Sequence, residues 1–306
     1  MSNLPIGKLS KVFGSRLHEQ VSMADFTTAR VGGPVPALIS INTLDELAAS
    51  ASSLWEIGIP FLILGSGSNV LVSDKGLDRI ILHNRSHNIE IDTKSDIPII
   101  YAESGAILGT VARQSALRGL SGMEWAAPVP GTVGGAVYGN AGAHGSDMAE
   151  SLNVAKILHK TKGIEDWPVE KLAYEYRSSL LKRENLPVVI LSAIFKANRT
   201  SREEAWEKIQ TYQAHRKNSQ PPGASMGSIF KNPVGDFAGR LIEAAGLKGH
   251  RIGNAMISPI HANFIINLEG ASANDIRALM KIAQETVNNK FGIFLEPEIE
   301  LLGDFN

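Results

Sequence analysis

The chain has 306 residues, with 30 lysine and arginine side chains against 31 aspartates and glutamates, and a hydrophobic fraction of 43%. This length predicts two domains, or one large domain with a subdomain, and the composition is that of a folded protein. A net charge of -1 provides no long-range field for a polyanion, which argues against nucleic-acid binding through bulk charge. Because the chain has no cysteine, disulfides, cysteine-ligated zinc, iron–sulfur clusters and thiol nucleophiles are excluded.

The distribution of apolar residues and histidines excludes further classes. No run approaches the ~18 consecutive apolar residues of a membrane span, and the first twenty residues lack the apolar centre of a secretory signal. The histidines are scattered without the spacing of metal ligands, so we predict no metal site. We therefore expect a cytoplasmic protein.

The first two hundred residues predict helices and strands separated by glycine turns. Thr43 and Glu46 have capping-box spacing, and the apolar residues behind them predict a helix that ends at Gly58. Other patterns predict a helix over residues 106–117 and strands over residues 60–64, 99–102, 154–158 and 188–195. This part of the chain therefore has an α+β pattern.

The pattern changes near residue 198, where we place a domain boundary. Ser201 and Glu204 form another capping box, ahead of a polar helix that runs to about Arg216. Asp236 is positioned to cap a short helix.

The last part of the chain predicts one long helix between two strands. Residues 261–267 are strand-like, and a helix with one apolar face runs from Ser272 to Gly292. The alternation over residues 293–302 is typical of a half-buried strand.

Three segments are rich in glycine: residues 27–34, 64–72 and 128–145. Glycine adopts positive φ and lets backbone N–H groups approach a ligand closely. Several such loops facing one another, with hydroxyl side chains and no lysine, suit a pyrophosphate held by neutral donors. Tight turns in a glycine-tolerant fold are the alternative explanation for each segment by itself.

The second glycine segment is not a Rossmann fingerprint. Gly65 and Gly67 match its start, but Val70 stands where the third glycine is required. Leu71 and Val72 then predict a strand where the fingerprint needs a helix. The chain also lacks a Walker A sequence, which argues against an ordinary NTPase.

Eight short strings occur along nearly the whole chain: TTARVGG (27–33), LGSGSNVLV (64–72), GLSGMEWAAPVPGTVGGAVYGNAGAHG (119–145), YRSSLLK (176–182), GSIFKNP (227–233), AGLKGHRIGNAMIS (245–258), HANFIIN (261–267) and FLEPEIELLG (294–303). In this order they resemble the UDP-N-acetylenolpyruvoylglucosamine reductases, flavoenzymes of peptidoglycan precursor synthesis. One string alone is weak, whereas eight in one order are specific.

The resemblance implies a fold of two domains in the α+β class. An FAD-binding domain of the vanillyl-alcohol-oxidase type would cover residues 1–198, in subdomains of about 1–83 and 84–198. An α+β substrate-binding domain would cover residues 199–306, with its last strand returning to the active site. This type of FAD domain uses glycine-rich loops without a Rossmann fingerprint.

The resemblance also implies the reaction. NADPH would reduce UDP-N-acetylglucosamine enolpyruvate to UDP-N-acetylmuramate through non-covalently bound FAD, with hydride going to C3 and a proton to C2 of the enolpyruvyl group. Although some relatives in the wider FAD-domain class attach flavin through histidine, nothing in this family implies such a bond at His144. We expect a monomer whose partners are these two small molecules, without nucleic acid or membrane.

The family motifs assign the cofactor to residues of the three glycine segments. The cofactor-binding residues implied are Arg30, Val31, Gly32, Gly33, Leu64, Gly65, Ser66, Gly67, Ser68, Asn69, Val70, Pro130, Gly131, Thr132, Gly134, Gly135, Asn140, Ala141 and Gly142.

Three residues match the family's catalytic positions. Ser228 in GSIFKNP would donate the proton to C2. Arg177 would hold the substrate carboxylate through two parallel N–H donors, more strongly as charge accumulates there. Glu298 is the second glutamate of LEPE; Glu296 has the same face parity, so only the motif separates them. Repulsion by the substrate carboxylate should raise the pKa of Glu298, so that it assists as a neutral acid.

Five further residues are implied in substrate binding: Tyr176, Arg216, Gln220, Lys231 and Asn232. Arg216 and Gln220 would meet the UDP phosphates or uracil, and Lys231 and Asn232 follow Ser228 closely. A surface position is the alternative for Lys231, as it is for Arg251.

One family branch carries an extra tyrosine-bearing loop over the substrate, between the arginine and serine motifs. Tyr212 is the only tyrosine between Arg177 and Ser228, and it lies in a predicted helix, so the chain resembles the shorter branch.

Two other functions remain as alternatives. A flavin-dependent oxidase with the same FAD domain explains the glycine loops but not GSIFKNP or LEPE. A non-catalytic nucleotide-binding protein would have to keep Arg177, Ser228 and Glu298 together by chance.

Overall fold

The computed structural model describes residues 5–305 and divides into three packed units. The first unit contains α1 (Ile6–Phe13), β1 (Leu17–Ser22), β2 (Pro34–Ile41), α2 (Leu44–Glu56), β3 (Phe61–Leu64), β4 (Val70–Val72) and β5 (Ile80–Asn84), with 3-10 turns at Gly14–Arg16 and Met23–Phe26. Its sheet has the strand order β1-β2-β5-β3, with β2, β5 and β3 parallel.

Helix α2 covers this first sheet. Leu47, Ala51 and Leu54 on its inner face are buried against Ile39 and Leu82 of the strands. The predicted cap is confirmed, because the Thr43 hydroxyl accepts the Glu46 N–H at 3.1 Å. The strand predicted from residue 60 is also confirmed, as β3.

The second unit is built on a five-stranded antiparallel sheet of order β12-β11-β13-β7-β6. Its elements are β6 (Ile89–Asp92), β7 (Ile99–Glu103), α3 (Leu108–Ala116), β8 (Leu120–Ser121), α4 (Val133–Gly139), β9 (Gly142–Ala143), β10 (Ser146–Asp147), α5 (Met148–Ser151), β11 (Leu152–His159), β12 (Gly163–Pro168), α6 (Leu180–Arg183), β13 (Val188–Phe195), β14 (Asn198–Arg199) and α7 (Arg202–Ser219), with 3-10 turns at Glu124–Ala126 and Val169–Leu172. The helix and strands predicted here are confirmed as α3, β7, β11 and β13.

Helix α7 shares the core of the second unit. Ala205 and Ile209 on its inner face are fully buried in the same cluster as Leu120 and Trp125. Strand β14, just before the helix, also pairs with β8 of this unit. Sequence places the boundary at residue 198; we propose from this packing that the boundary follows Ser219 instead.

The third unit contains α8 (Ala238–Ala244), β15 (Arg251–Ile252), β16 (Ala255–Ile257), β17 (Ile265–Asn267), α9 (Ala273–Phe291) and β18 (Glu300–Leu302). The predicted long helix is confirmed as α9, with a capping box at Ser272 and Gly292 at φ 69° after its last residue. No helix within residues 5–305 is long and apolar enough to cross a membrane.

Strand pairing and a helix cap are among the contacts that attach the third unit to the first. Strand β18 pairs in parallel with β4, so the last strand returns to the front of the chain. The Asp74 carboxylate, which follows β4, accepts the N–H groups of Ala273 and Asn274 at 2.8 and 2.9 Å, at the amino end of α9.

Three local predictions for the third unit are wrong in extent or detail. Regular pairing in the last segment covers only residues 300–302, with one bridge at Pro297, which has no N–H for a longer ladder. In residues 261–267 only β17 is a strand, because a turn from His261 to Phe264 comes first. Asp236 does not cap α8; the side chain of Asn232 accepts the Ala238 N–H instead.

Candidate active site

The three glycine segments meet. The Thr28 N–H of the first donates to the Gly67 carbonyl of the second at 3.1 Å. A Cβ on Gly65 of the second would lie 2.4 Å from Thr132 Oγ1 of the third. Glycine is therefore required where the backbones approach one another.

The second segment has the features of a phosphate-binding loop. Gly67 has φ of +62°, and a Cβ there would lie 2.1 Å from the Phe26 carbonyl oxygen. The Ser66 hydroxyl is buried and has no hydrogen-bond partner within residues 5–305. A buried hydroxyl normally finds a partner, so an unpartnered one in a glycine loop fits a bound oxygen-rich group such as the FAD pyrophosphate.

Several residues of the first segment are held by the protein itself. The Thr27 hydroxyl donates to the Val31 carbonyl at 2.8 Å, and the Gly33 N–H donates to Ser73 at 2.9 Å. Arg30 lies at a positive φ of 55°, and its carbonyl is within 3.4 Å of the Asn267 side-chain amide from the third unit. This segment thus links the glycine loops to the third unit.

The remaining predicted cofactor residues lie close to these loops. Leu64 ends β3 and Val70 begins β4, while Gly131 lies against Ser68, where a Cβ would come within 3.1 Å of its hydroxyl. Gly134 approaches Ser104 so closely that a Cβ would lie 3.0 Å from that side chain. The other residues of the set flank these: Gly32, Asn69, Pro130, Gly135, Asn140, Ala141 and Gly142.

Arg177 and Glu298, 121 positions apart in sequence, form an ion pair. Arg177 Nε donates to Glu298 Oε1 at 2.9 Å, and Arg177 Nη2 donates to the Gly142 carbonyl at 2.6 Å. A Cβ on Gly142 would lie 3.0 Å from Arg177 Nη1, so glycine leaves room for the guanidinium. Arg177 itself has φ of 55°, a backbone conformation that side chains rarely adopt and that is typical of functional positions.

A short backbone ladder brings Ser228 to the same place. The Glu298 N–H donates to the Ile229 carbonyl at 2.8 Å, and the Lys231 N–H donates to the Glu296 carbonyl at 2.9 Å. Ser228 is half-buried and stands one residue before this ladder, after Gly227 at φ of +77°. The structure therefore collects the three predicted catalytic residues from three separate segments.

Burial raises the pKa of Glu298, and the charges of Arg177, Lys182 and Lys231 act against that rise. In the protein alone this shift comes from loss of hydration; the rise expected from repulsion by a substrate carboxylate stays a prediction. The carboxyl group therefore accepts a proton more readily than an exposed glutamate does.

The predicted substrate residues have different surroundings. Lys231 Nζ lies 2.6 Å from Glu296 Oε1, with only 17% of the lysine side chain exposed. The side-chain amide oxygen of Asn232 caps α8. Tyr176 is 51% exposed, with its ring centroid 5.1 Å from Arg177 Cζ.

The end of helix α7 is attached to the third glycine segment. The Arg216 guanidinium donates to the Pro128 carbonyl, and Gln220 follows the helix with its N–H on the Arg216 carbonyl. In the same region the rings of His144 and Tyr212 stack at 4.2 Å and 12°. Burial lowers the pKa of His144, with His215 and Arg216 contributing. The His144 ring is thus engaged with a protein side chain.

Sequence reasoning missed one residue that builds the site, Asn263, and one contact of the predicted residue Asn69. Buried Asn263 accepts the Phe230 N–H at 3.0 Å and donates to the Phe230 carbonyl at 2.8 Å, which fixes the segment after Ser228. The Asn69 amide donates to the Glu298 carbonyl at 3.3 Å. Neither contact has a local sequence signal, because each joins segments far apart in the chain. Arg251 contacts Gly253 and Asn254, on the exposed turn between β15 and β16.

No group of three or more His, Asp or Glu side chains that could hold a metal ion occurs between residues 5 and 305. The site is instead an FAD-type glycine cradle with an arginine–glutamate pair beside it, and comparison with known families gives the same class. Residues 35–159 match the family model of an FAD binding domain, which confirms the predicted α+β FAD-binding fold. The fold and site thus define an FAD-dependent oxidoreductase.

Residues 218–302 match the family model described as UDP-N-acetylenolpyruvoylglucosamine reductase, C-terminal domain. The chain is 40% identical over 289 residues to the UDP-N-acetylenolpyruvoylglucosamine reductase of Chloroflexus aurantiacus, covering 94% of this chain and 97% of the relative. It is 42% identical over 286 residues to the reductase of Caldicellulosiruptor saccharolyticus, covering 92% of this chain and 91% of the relative. The chain belongs to the UDP-N-acetylenolpyruvoylglucosamine reductase family.

The fold is similar over most of its length to a solved member of this family. The crystal structure of the reductase from Thermus caldophilus matches with a TM-score of 0.79 at 34% identity, covering 93% of this chain and 98% of that one. The C-terminal family model begins at residue 218, at the end of α7.

Proposed function

We propose that this chain reduces the enolpyruvyl double bond of UDP-N-acetylglucosamine enolpyruvate to give UDP-N-acetylmuramate, with NADPH as reductant and FAD as cofactor. The observation that carries the proposal is the Arg177–Glu298 ion pair beside Ser228, at the edge of the glycine cradle. An arginine, a hydroxyl and a carboxyl group of raised pKa are what this reduction requires besides the flavin.

The residues that would hold FAD are those where the three glycine segments meet. Gly65, Gly67 and Gly131 let the three segments approach one another closely enough to form the cradle, and the Ser66 hydroxyl and Thr132 supply neutral donors. When bound there, FAD supplies the hydride transfer between NADPH and the enolpyruvyl group.

Arg177 is proposed to bind the substrate carboxylate. Negative charge moves into that carboxylate as the double bond is reduced, and a guanidinium binds the more highly charged form more strongly. The Gly142 carbonyl holds Arg177 Nη2, so the guanidinium is oriented before substrate arrives. The positive φ of Arg177 serves this orientation at a cost in local backbone energy.

Ser228 and Glu298 are proposed to handle the proton. Ser228 would donate its hydroxyl proton to C2, a centre far more basic than the serine oxygen once charge has developed there. Burial raises the pKa of Glu298, and its neutral carboxyl group would donate a hydrogen bond to the enolate. The two positions are linked through the Glu298 N–H to the carbonyl of Ile229, next to Ser228.

Lys231 and Arg216 are proposed to serve the nucleotide portion of the substrate. Each is a partly buried cation anchored by an acceptor of the protein, Glu296 and the Pro128 carbonyl respectively. Gln220 follows Arg216 by four residues, Asn232 follows Lys231 directly, and Tyr176, next to Arg177, completes the proposed set.

The experiment is an anaerobic titration in two steps. The purified holoenzyme should be yellow, and NADPH should bleach its flavin absorbance. Addition of UDP-N-acetylglucosamine enolpyruvate should then restore the oxidised spectrum in one equivalent. Bleaching that only oxygen reverses would support an oxidase of the same FAD-domain class and contradict the reductase.

We further propose that the enzyme acts in the cytoplasm as a monomer with these two small molecules as its partners. Both substrates are phosphorylated nucleotides of the cell interior, and the balanced charge of the chain favours no polyanionic or membrane partner. Sedimentation of the holoenzyme tests the oligomeric state, and a dimer at micromolar concentration would contradict it.

A further inference from the structure

Two ion pairs join the same two segments at the site. One is the catalytic pair of Arg177 and Glu298. The other joins Lys182 Nζ to Glu300 Oε1 at 2.5 Å, with 21% and 37% of the two side chains exposed. Because Lys182 follows Arg177 by five residues and Glu300 follows Glu298 by two, the pairs form neighbouring links between one loop and one strand.

The loop side of the second link is firmly held. Lys182 lies in the first turn of α6, whose amino end is capped by the Ser179 hydroxyl. That hydroxyl accepts the Lys182 N–H at 3.3 Å and donates to the Tyr138 carbonyl at 2.6 Å. The turn at Arg177 is closed by paired backbone bonds between Glu175 and Ser178 of 3.0 and 3.1 Å. Lys182 and Arg177 therefore move as parts of one segment.

The strand side is held to the second glycine segment. The Glu300 N–H donates to the Asn69 carbonyl at 2.9 Å, and the Asn69 amide donates to the Glu298 carbonyl. Glu300 also begins β18, which pairs in parallel with β4. A displacement of Glu300 would therefore also displace Glu298.

The catalytic pair has to loosen during the reaction. Arg177 Nε and Glu298 Oε1 are hydrogen-bonded to each other at 2.9 Å. In the proposed mechanism both side chains turn toward the substrate carboxylate instead. Once that happens, their bond no longer fixes the distance between loop and strand. A second link that takes no part in the chemistry would keep the two side chains within reach of the same substrate atoms.

We propose that Lys182 and Glu300 are positioning residues, whose ion pair holds the Arg177 loop against the Glu298 strand while Arg177 and Glu298 engage the substrate. This inference rests on the proposed function of the site. The pair is partly buried, so it is not one of the fully solvated surface pairs that contribute little.

The charges of this pair also act on Glu298. The cations that face its carboxyl group are Arg177, Lys182 and Lys231, and the acids on its own strand are Glu296 and Glu300. Removal of the Lys182 charge should raise the pKa of Glu298 further. Removal of the Glu300 charge leaves Lys182 without its counter-charge and should lower the pKa of Glu298. These opposite shifts follow from charge alone, so they test whether the pair acts electrostatically on Glu298, whereas the exchanged pair described below tests the positioning role.

The test uses holoenzyme carrying Lys182→Met, Glu300→Gln, or the exchanged pair Lys182→Glu with Glu300→Lys. We expect substrate-driven flavin reoxidation to slow about tenfold in each single variant and to recover to within about threefold in the exchanged pair. Flavin bleaching by NADPH should stay within about twofold, because it does not use the carboxylate-binding pair. Lys171→Met is the matched control, since it breaks a surface pair with Glu165 of 3.1 Å in another part of the fold.

A second measurement does not depend on turnover. Carbon-13 NMR of carboxyl-labelled glutamate, assigned with Glu298→Gln, follows the titration of Glu298 in the holoenzyme without substrate. We expect its pKa to rise by about 0.5 in Lys182→Met and to fall by about 0.5 in Glu300→Gln.

The outcomes separate the inference from the proposed function. Equal slowing of both half-reactions, no recovery in the exchanged pair, or no effect in either single variant would overturn the positioning role. Shifts of the same sign would overturn the electrostatic effect of the pair on Glu298. If the unmodified enzyme were bleached by NADPH but not reoxidised by the substrate, the proposed function would fail. The opposite shifts in NMR would then still decide whether Lys182 and Glu300 set the electrostatics of Glu298.

Discussion

The two sides of the candidate active site are built from different materials. The proposed cofactor side, residues 65–68 with Gly131 and Thr132, consists of glycine, hydroxyl groups and backbone N–H groups, and at Gly65 and Gly67 a Cβ would collide with a neighbour. The proposed substrate side consists of charged side chains in ion pairs, led by Arg177 and Glu298. A bound cofactor can be held by fixed neutral donors, whereas a group whose charge changes during the reaction needs charges that respond to it.

The largest effect that separates the two sides is expected from a change on the substrate side. Ser228→Ala removes the proposed proton donor, and we expect substrate-driven flavin reoxidation to fall by about 10²–10⁴. Bleaching by NADPH and the FAD content should be unchanged, because the cofactor side is intact. Stopped-flow absorbance of the two half-reactions measures both.

Ser225→Ala is the matched control for this variant, since it removes a hydroxyl three residues away in the same segment. It should behave as the unmodified enzyme. Equal losses in both half-reactions of Ser228→Ala would mean that the serine supports the structure instead of donating the proton.

Glu298 offers a test of the response to charge. Glu298→Ala should slow substrate-driven reoxidation by about 10², and Glu298→Gln by about tenfold, because a neutral amide can still donate to the enolate. Since burial raises the pKa of Glu298, the neutral form persists to higher pH, and the rate should fall as pH rises through that pKa. This fall should be missing in Glu298→Gln. The same pH profile in both proteins would remove Glu298 from the proton chemistry.

On the cofactor side, FAD binding should be disrupted by changes of shape and not by changes of charge. In Gly67→Ala the new Cβ would meet the Phe26 carbonyl at a positive φ. A strained position of this kind costs about 1–3 kcal/mol, which corresponds to about 5–150-fold weaker FAD binding if the loop must shift. Titration of apoenzyme with FAD measures the affinity.

Gly139→Ala serves as the control for Gly67→Ala, because a Cβ at that position has open space around it and no positive φ. Its FAD affinity should be that of the unmodified protein. Equal weakening in both variants would show that the loop geometry at Gly67 is not specific to the cofactor.

Local signals in the sequence predicted the capped helices α2, α7 and α9. The caps at Thr43, Ser201 and Ser272 each involve residues within three or four positions, so the sequence contains the whole interaction. The partner of a helix is not local. Helix α7 buries only Ala205 and Ile209, and nothing in its polar sequence indicates that it packs on the second unit.

The site was predictable as a set of residue types but not as a geometry. The motifs point to Arg177 and Glu298, yet only the pairing of β18 with β4 and the turn at Arg177 bring them to 2.9 Å. The alternation over residues 293–302 predicted one strand. Regular pairing covers only residues 300–302, and Pro297 forms a single isolated bridge. Lys182 and Glu300 were missed as a pair because their contact spans 118 positions.

The variant with the smallest expected effect, Ser66→Ala, gives the most specific test of the cofactor side. Ser66→Ala removes a hydroxyl that is buried without a partner in the protein. An unsatisfied buried polar group costs about 1–3 kcal/mol, so the apoenzyme should become more stable, by about 1 kcal/mol in urea unfolding. The same change removes a donor to the bound cofactor, so FAD affinity should fall about fivefold. Stability and affinity thus move in opposite directions only if this hydroxyl is kept for the ligand. A loss of stability together with unchanged affinity would assign Ser66 to the protein's own packing, and the neutral cradle would then have to be sought in the backbone N–H groups alone.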